Sequence, residues 1–266
     1  MKTRVLTGIV LALLFAAVLL LSHNIWFLRI IIAIMCITAI WELYGAVGLR
    51  HNKPLLWTSF LLAGLISFCP IPATPYFTLA LFAGMALLSF WLMRQVGIAK
   101  QIPLWAVLLF AIGMVLLYNT IPLMRQMENG LYRLILALLT TVITDIGAYF
   151  TGKAIGKHKM AASISPNKTK EGAIGGIICT VVLLMTAAMI LKGLHVISVN
   201  LGILFVYLIV SSVTAEFGDL ALSAIKRITG IKDYSNLFPG HGGVLDRFDS
   251  FLFVVPVTYL FTMIGR

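Results

Sequence analysis

The chain alternates long apolar runs with short polar intervals. The runs that stand out are Val5–Leu21, Ile25–Val47, Leu55–Phe68, Pro75–Leu92, Pro103–Ile121, Leu131–Thr151, Ala173–Leu191, Val196–Phe217 and Phe251–Ile264. A membrane-spanning helix needs about 20 mostly apolar residues. Only the third and the last fall clearly short of that. Hydrocarbon tolerates no unpaired backbone, and the runs lack the alternation of barrel strands, so each is expected to be helical. The pattern predicts an all-α polytopic membrane protein with about nine transmembrane helices. The first run follows Met1-Lys-Thr-Arg4 as the core of a secretory leader would. It is long for that role and no small-residue cleavage site follows, so a retained first helix is expected.

The polar intervals give a direction. With the N-terminus in the cytoplasm, the inner set is Lys2, Arg4, Arg50, Lys53, Arg94, Lys100, the five lysines from Lys153 to Lys170, Lys226, Arg227, Lys232 and Arg247. That is 15 of the 20 cations, against Arg125, Arg133, Lys192 and Arg266 outside, with Arg29 inside a run. Such a bias is the positive-inside signature. Pro70-Ile-Pro-Ala-Thr-Pro75 reads as an outer connection that stops one helix and starts the next.

Composition agrees. The chain is 61% hydrophobic and 11% charged with a mean hydropathy of +1.03, where soluble domains carry about 25% charge. No polar stretch longer than about forty residues is present, which excludes an appended soluble domain. The net charge of +11 belongs with an anionic inner leaflet rather than a nucleic-acid partner. Cys36, Cys69 and Cys179 are isolated and form neither a disulfide framework nor a zinc spacing.

The acidic residues divide the chain in two. Of nine, only Glu42 and Glu128 precede Asp145. Residues 1–130 therefore read as scaffold, and residues 131–266 as catalytic helices with cytoplasmic loops 152–172 and 224–250. Three constellations carry chemistry. Asp145 lies within an apolar run, where a carboxylate costs roughly 3 kcal/mol unless paired. The loop Gly152–Gly172 interleaves five lysines with glycines and hydroxyls and leads into a glycine-rich helix start, which suits phosphate. Past it, Glu216, Asp219, Ser223, Lys226 and Arg227 fall on one helical stripe. The glycine-dense turn around His241 follows, then Asp246 and Asp249 three apart. Asp219 and Asp246 are expected to share a divalent cation, since magnesium takes one or two carboxylates plus substrate phosphate.

The run Ser223–Asp249 then resembles a known family. Ser223, Lys226-Arg227, Lys232-Asp233, Ser235, Phe238-Pro239, His241-Gly242-Gly243 and Asp246-Arg247-Phe248-Asp249 match the signature of phosphatidate cytidylyltransferases, the CDP-diacylglycerol synthases. Asp145 with Ala148-Tyr149-Phe150, Ser165-Pro166, Lys168-Thr169, Glu171-Gly172 and Gly218-Asp219 resemble it too. The first half agrees in hydropathy and helix count alone. A lysine is commoner where Asn167 stands, and a glutamate where Leu222 stands.

The resemblance implies transfer of CMP from CTP to phosphatidate in the bacterial cytoplasmic membrane. It implies Mg²⁺ on Asp219 and Asp246, with Asp249 or Asp145 as third ligand, a second metal ion being left open. Lys226, Arg227 and Lys232 would hold phosphates, and His241 would serve phosphate or turn rather than proton transfer. Ser165, Asn167, Lys168, Thr169 and Glu171 would cover the nucleotide. Ser223, Asp233, Gly242, Gly243 and Arg247 complete the expected substrate contacts. A homodimer is the family expectation. Two other readings compete: a lipid kinase using CTP, and an ion or phosphate transporter using Asp145, Glu216 and Asp219. The full signature argues against the first, and the absence of an internal repeat against the second.

Overall fold

The computed structural model of the chain describes residues 2–69 and 74–264. Residues 70–73 of the proline-rich connection, and Arg266 among the outer cations, lie outside that set. Each of the apolar runs is a helix. The first are α1 (Lys2–Leu21), α2 (Ile25–Ala46), α3 (Lys53–Phe68), α4 (Pro75–Gln95) and α5 (Leu104–Tyr118). The short α6 (Thr120–Arg125) and then α7 (Gly130–Ile155), α8 (Lys170–Gly193), α9 (Leu201–Ile228) and α10 (Leu245–Ile264) complete the set. Six spans, 25–46, 75–95, 104–125, 130–155, 170–193 and 201–228, are long and apolar enough to cross a membrane. The chain is an all-α polytopic integral membrane protein.

Local chemistry sets the helix ends. Asn24 accepts from the N–H groups of Trp26 and Phe27, Asn52 from Leu55, and Thr74 from Phe77, each as an N-cap. Asn200 likewise accepts from Gly202 and Ile203. That cap is why α9 starts at Leu201, later than the apolar run beginning at Val196. The fifth run divides in two at Asn119. Pro122 lacks an N–H and its ring crowds the carbonyl four residues earlier, which breaks the helix there.

The interval after α7 also differs from expectation. It is a short antiparallel hairpin, β1 (Lys159–Ala161) with β2 (Ser165–Thr169), in which Lys159 pairs with Thr169 and Ala161 with Ser165. Thr169 ends β2 and caps α8, accepting from the N–H of Gly172 at 3.1 Å.

The centre of the bundle is α10, where Leu252, Phe253, Val254 and Val255 are fully buried. Small residues bring α7 and α8 into close contact, as membrane helices do when packing alone must hold them. Threonines in this seam return their hydroxyls to the preceding turn, and Thr144 also meets Thr180 at 2.9 Å and Ser212 at 3.2 Å. The C-terminal ends of α2, α7 and α9 and the N-terminal ends of α8 and α10 meet at one end of the bundle. The charges gather there.

Candidate active site

Helical spacing puts Glu216, Asp219 and Ser223 on one face of α9. The hairpin lays Lys168 across that face. Its Nζ lies 2.5 Å from Glu216 Oε2 and 2.8 Å from Asp219 Oδ2. Burial works against the ammonium, but the Asp219 and Glu216 carboxylates outweigh it and hold Lys168 above the usual lysine range. Ser223 donates to the other oxygen of Asp219 at 3.2 Å. Asp145 on α7 lies within electrostatic reach of Asp219, Lys168, Glu216 and Arg247, and Asp249 on α10 within reach of Asp219, Asp145 and Lys226.

Of these four neighbouring carboxylates, Glu216 and Asp219 are bonded directly to Lys168. Glu216 Oε1 is buried with no hydrogen-bond partner. Hard carboxylate oxygens in excess over local positive charge fit a divalent cation such as magnesium. Among the described residues no three His, Cys, Asp or Glu side chains close on a single ion position. An ion beside Asp219 would have to take most of its shell from water and substrate phosphate.

Asp246 has a different set of partners from the one the sequence suggested. Its Oδ1 accepts from Lys226 Nζ at 2.8 Å, and its Oδ2 accepts from the N–H groups of Tyr234 at 2.8 Å and Gly243 at 3.0 Å. The side chain is 3% exposed. Through these contacts Asp246 ties the 229–244 loop to α9 and to the start of α10. Lys226 is the counter-charge in that tie and also lies 5.5 Å from the Tyr234 ring centre.

The turn 238–243 is shaped by this packing. Gly242 has φ +83°, and a Cβ on it would meet the Asp246 side chain. A Cβ on Gly243 would strike the Glu42 carboxylate. The two glycines bring backbone against carboxylates of the protein itself. His241 packs beside Gly8 of α1, its Nδ1 buried without a hydrogen-bond partner, and the Thr7 hydroxyl donates to the Pro239 carbonyl at 3.2 Å.

Glu42 is the residue the sequence reading passed over. It is fully buried in α2, accepting from the Ser235 hydroxyl at 2.6 Å and the N–H groups of Val244 at 2.9 Å and Leu245 at 2.8 Å. It thus caps α10 from another helix, where the helix dipole favours a negative charge. A carboxylate inside an apolar run was the available signal, the same one that picked out Asp145.

The hairpin is pinned at both ends. Arg227 Nε donates to the Ile164 carbonyl at 2.9 Å, and Glu171 accepts from the N–H groups of Lys157 and His158 and meets His158 Nδ1 at 2.5 Å. Ser165 is half-buried, Thr169 buried and Asn167 exposed. Lys153, Lys157, Lys159, Lys170, Arg227, Lys232, Asp233 and Arg247 are all exposed. The cations among them leave the surface of these segments positively charged, which suits polyanions. Leu222, by contrast, is wholly buried in the core.

These features define a membrane-embedded protein whose charged site is assembled from helix ends and one hairpin. The chain belongs to the cytidylyltransferase family, whose model matches residues 2–264. It is 35% identical over 275 residues to the phosphatidate cytidylyltransferase of Bacillus subtilis, covering 97% of this chain and 96% of that protein. It is 34% identical over 266 residues to the protein of that name from Staphylococcus epidermidis, covering 97% of each. A Staphylococcus saprophyticus protein of the same name is 40% identical over 146 residues, 55% of this chain and 52% of the relative.

Proposed function

We propose that the chain is a phosphatidate cytidylyltransferase of the bacterial cell membrane, making CDP-diacylglycerol and pyrophosphate from CTP and phosphatidate for phospholipid synthesis. The observation that carries this reading is similarity over nearly the whole chain to relatives of that name. A phosphate oxygen of the lipid attacks the α-phosphorus of CTP and forms a P–O bond. The bond from that phosphorus to the bridging oxygen breaks, and its electron pair leaves with pyrophosphate. The lipid phosphate is already anionic, so no strong base is needed. The protein's task is to align two polyanions and offset their repulsion.

Mg²⁺ on Asp219, with Asp145 and Asp249 beside it, would supply charge neutralisation between the reacting phosphates. Lys168 holds Asp219 and Glu216 in place. Arg227, Lys232 and Arg247 would bind phosphate oxygens, and the hairpin with Asn167 would cover the nucleotide. The Lys226–Asp246 pair supports Asp249 from beneath by fixing the start of α10. The cation bias supports nine crossings with a cytoplasmic N-terminus, a scaffold half before residue 130 and both polar loops on the CTP side. A homodimer and a second metal ion belong to the same reading.

The test follows the label from CTP in purified protein with phosphatidate. The α-phosphorus should enter the lipid while pyrophosphate appears one for one. Transfer of the γ-phosphoryl group with release of CDP would make the chain a lipid kinase and overturn the proposal.

A further inference from the structure

A second charged site lies at the opposite end of the bundle. Arg29 sits one turn inside α2, 8% exposed, within an apolar segment. Its Nη1 donates to the carbonyls of Ser67 at 3.1 Å and Phe68 at 3.0 Å, the last of α3. Among the described residues it has no carboxylate partner. A buried guanidinium without a counter-charge is costly in a membrane protein and is retained for a purpose. The positive end of α2 opposes it, and the C-terminal carbonyls of α3 offset part of its charge.

The guanidinium borders a cavity of about 20 Å³ lined also by Cys69, Thr78, Asn119 and Thr120. A water-sized guest needs roughly 10–15 Å³, so one such guest fits. Thr78 also lines the cavity; the residue is 1% exposed and its buried hydroxyl has no hydrogen-bond partner. Arg29 is the only charged residue in the lining. The cavity thus offers a positive charge offset only by carbonyl dipoles and an unused hydroxyl, both able to donate, with room for a single atom-sized acceptor.

We propose that this cavity binds one small monatomic anion of the halide class, held by Arg29 and Thr78. The charge decides between halide and water: water would accept both hydrogen bonds yet leave only carbonyl dipoles against a full positive charge, whereas a halide supplies a full counter-charge as well. The ion would join α2, α3, α4 and the α5–α6 break at that end of the bundle. At about 1.5 Å per residue, Arg29 lies about 20 Å along α2 from Glu42. The anion therefore steadies the helix that caps the active-site loop without touching the reacting groups.

The experiment uses the full chain in detergent, with chloride exchanged for gluconate at constant ionic strength. The unfolding midpoint should rise saturably by several degrees as chloride or bromide is added. Crystals grown in bromide should show an anomalous peak between Arg29 and Thr78. Thr78→Val keeps the shape and removes the hydroxyl, so the chloride-dependent rise should shrink while the variant still folds. Arg29→Gln should abolish it; if that variant does not fold, Thr78→Val and the bromide peak decide. A midpoint indifferent to chloride, or water density without an anomalous signal, overturns the proposal.

Discussion

Glu42 and Leu245 stand 203 positions apart and meet in a 2.8 Å hydrogen bond, the Leu245 N–H donating to Glu42 Oε2. Through it the scaffold half takes part in building the site, because α10 carries both Asp246 and Asp249 in its first turns.

Removing that cap should loosen α10. Glu42→Ala leaves the N–H groups of Val244 and Leu245 buried without acceptors, at a cost of about 2–4 kcal/mol. Glu42→Gln keeps one acceptor oxygen and should lose less. Gly243→Ala should act in the same direction by pushing the carboxylate aside. Thermal unfolding alongside turnover checks all three, and an unchanged midpoint in Glu42→Ala would contradict the capping role.

The Lys226–Asp246 tie is expected to be structural. Lys226→Met and Asp246→Asn should each destabilise, and the double variant by less than their sum. A coupling of roughly 1–3 kcal/mol is expected for groups in such direct contact. Additive effects in a double-mutant cycle would show that the two do not act as a pair.

How much of this was legible in sequence depends on the range of the interaction. The apolar runs showed through directly, since bilayer thickness fixes their length. The stripe of Glu216, Asp219 and Ser223 was equally legible, because helical period alone sets it. The destination of Asp246 was not, since its partners include the backbone N–H groups of Tyr234 and Gly243, which no side-chain pattern records. Glu42 carries the same signal as Asp145, a carboxylate inside an apolar run, but its partners lie 193 to 203 positions away, beyond any local pattern. The loop's composition suggests phosphate, but only the hairpin shows that Lys168 meets two carboxylates on α9.

Lys168 should prove essential. Lys168→Met leaves Glu216 and Asp219 facing one another without a cation, and activity should fall roughly a hundredfold or more. Lys168→Arg should retain part of it. Initial rates at saturating CTP check this; a Met variant near full activity would remove Lys168 from the account.

The same pair makes a pH prediction. Since the folded-state affinity of Lys168 for its proton is raised, its stabilisation is complete below the ordinary lysine value of about 10.4 and is lost only as pH rises above that. Unfolding midpoints of wild type and Lys168→Met should therefore run parallel from neutral to mildly alkaline pH. Curves that converge between pH ~7 and ~9 would show that the lysine loses its proton earlier than its partners allow.

The most direct measurement is pyrophosphate release from CTP and phosphatidate across a magnesium titration, comparing wild type, Asp219→Asn and Asp246→Asn. Metal-dependent release is expected in the wild type. In Asp219→Asn the rate should collapse and the magnesium requirement rise. In Asp246→Asn the midpoint of unfolding should fall while the magnesium requirement of the residual activity stays put. An unchanged magnesium requirement in an active Asp219→Asn, or a raised one in Asp246→Asn alone, would move the metal from Asp219 to Asp246 and contradict the site described here.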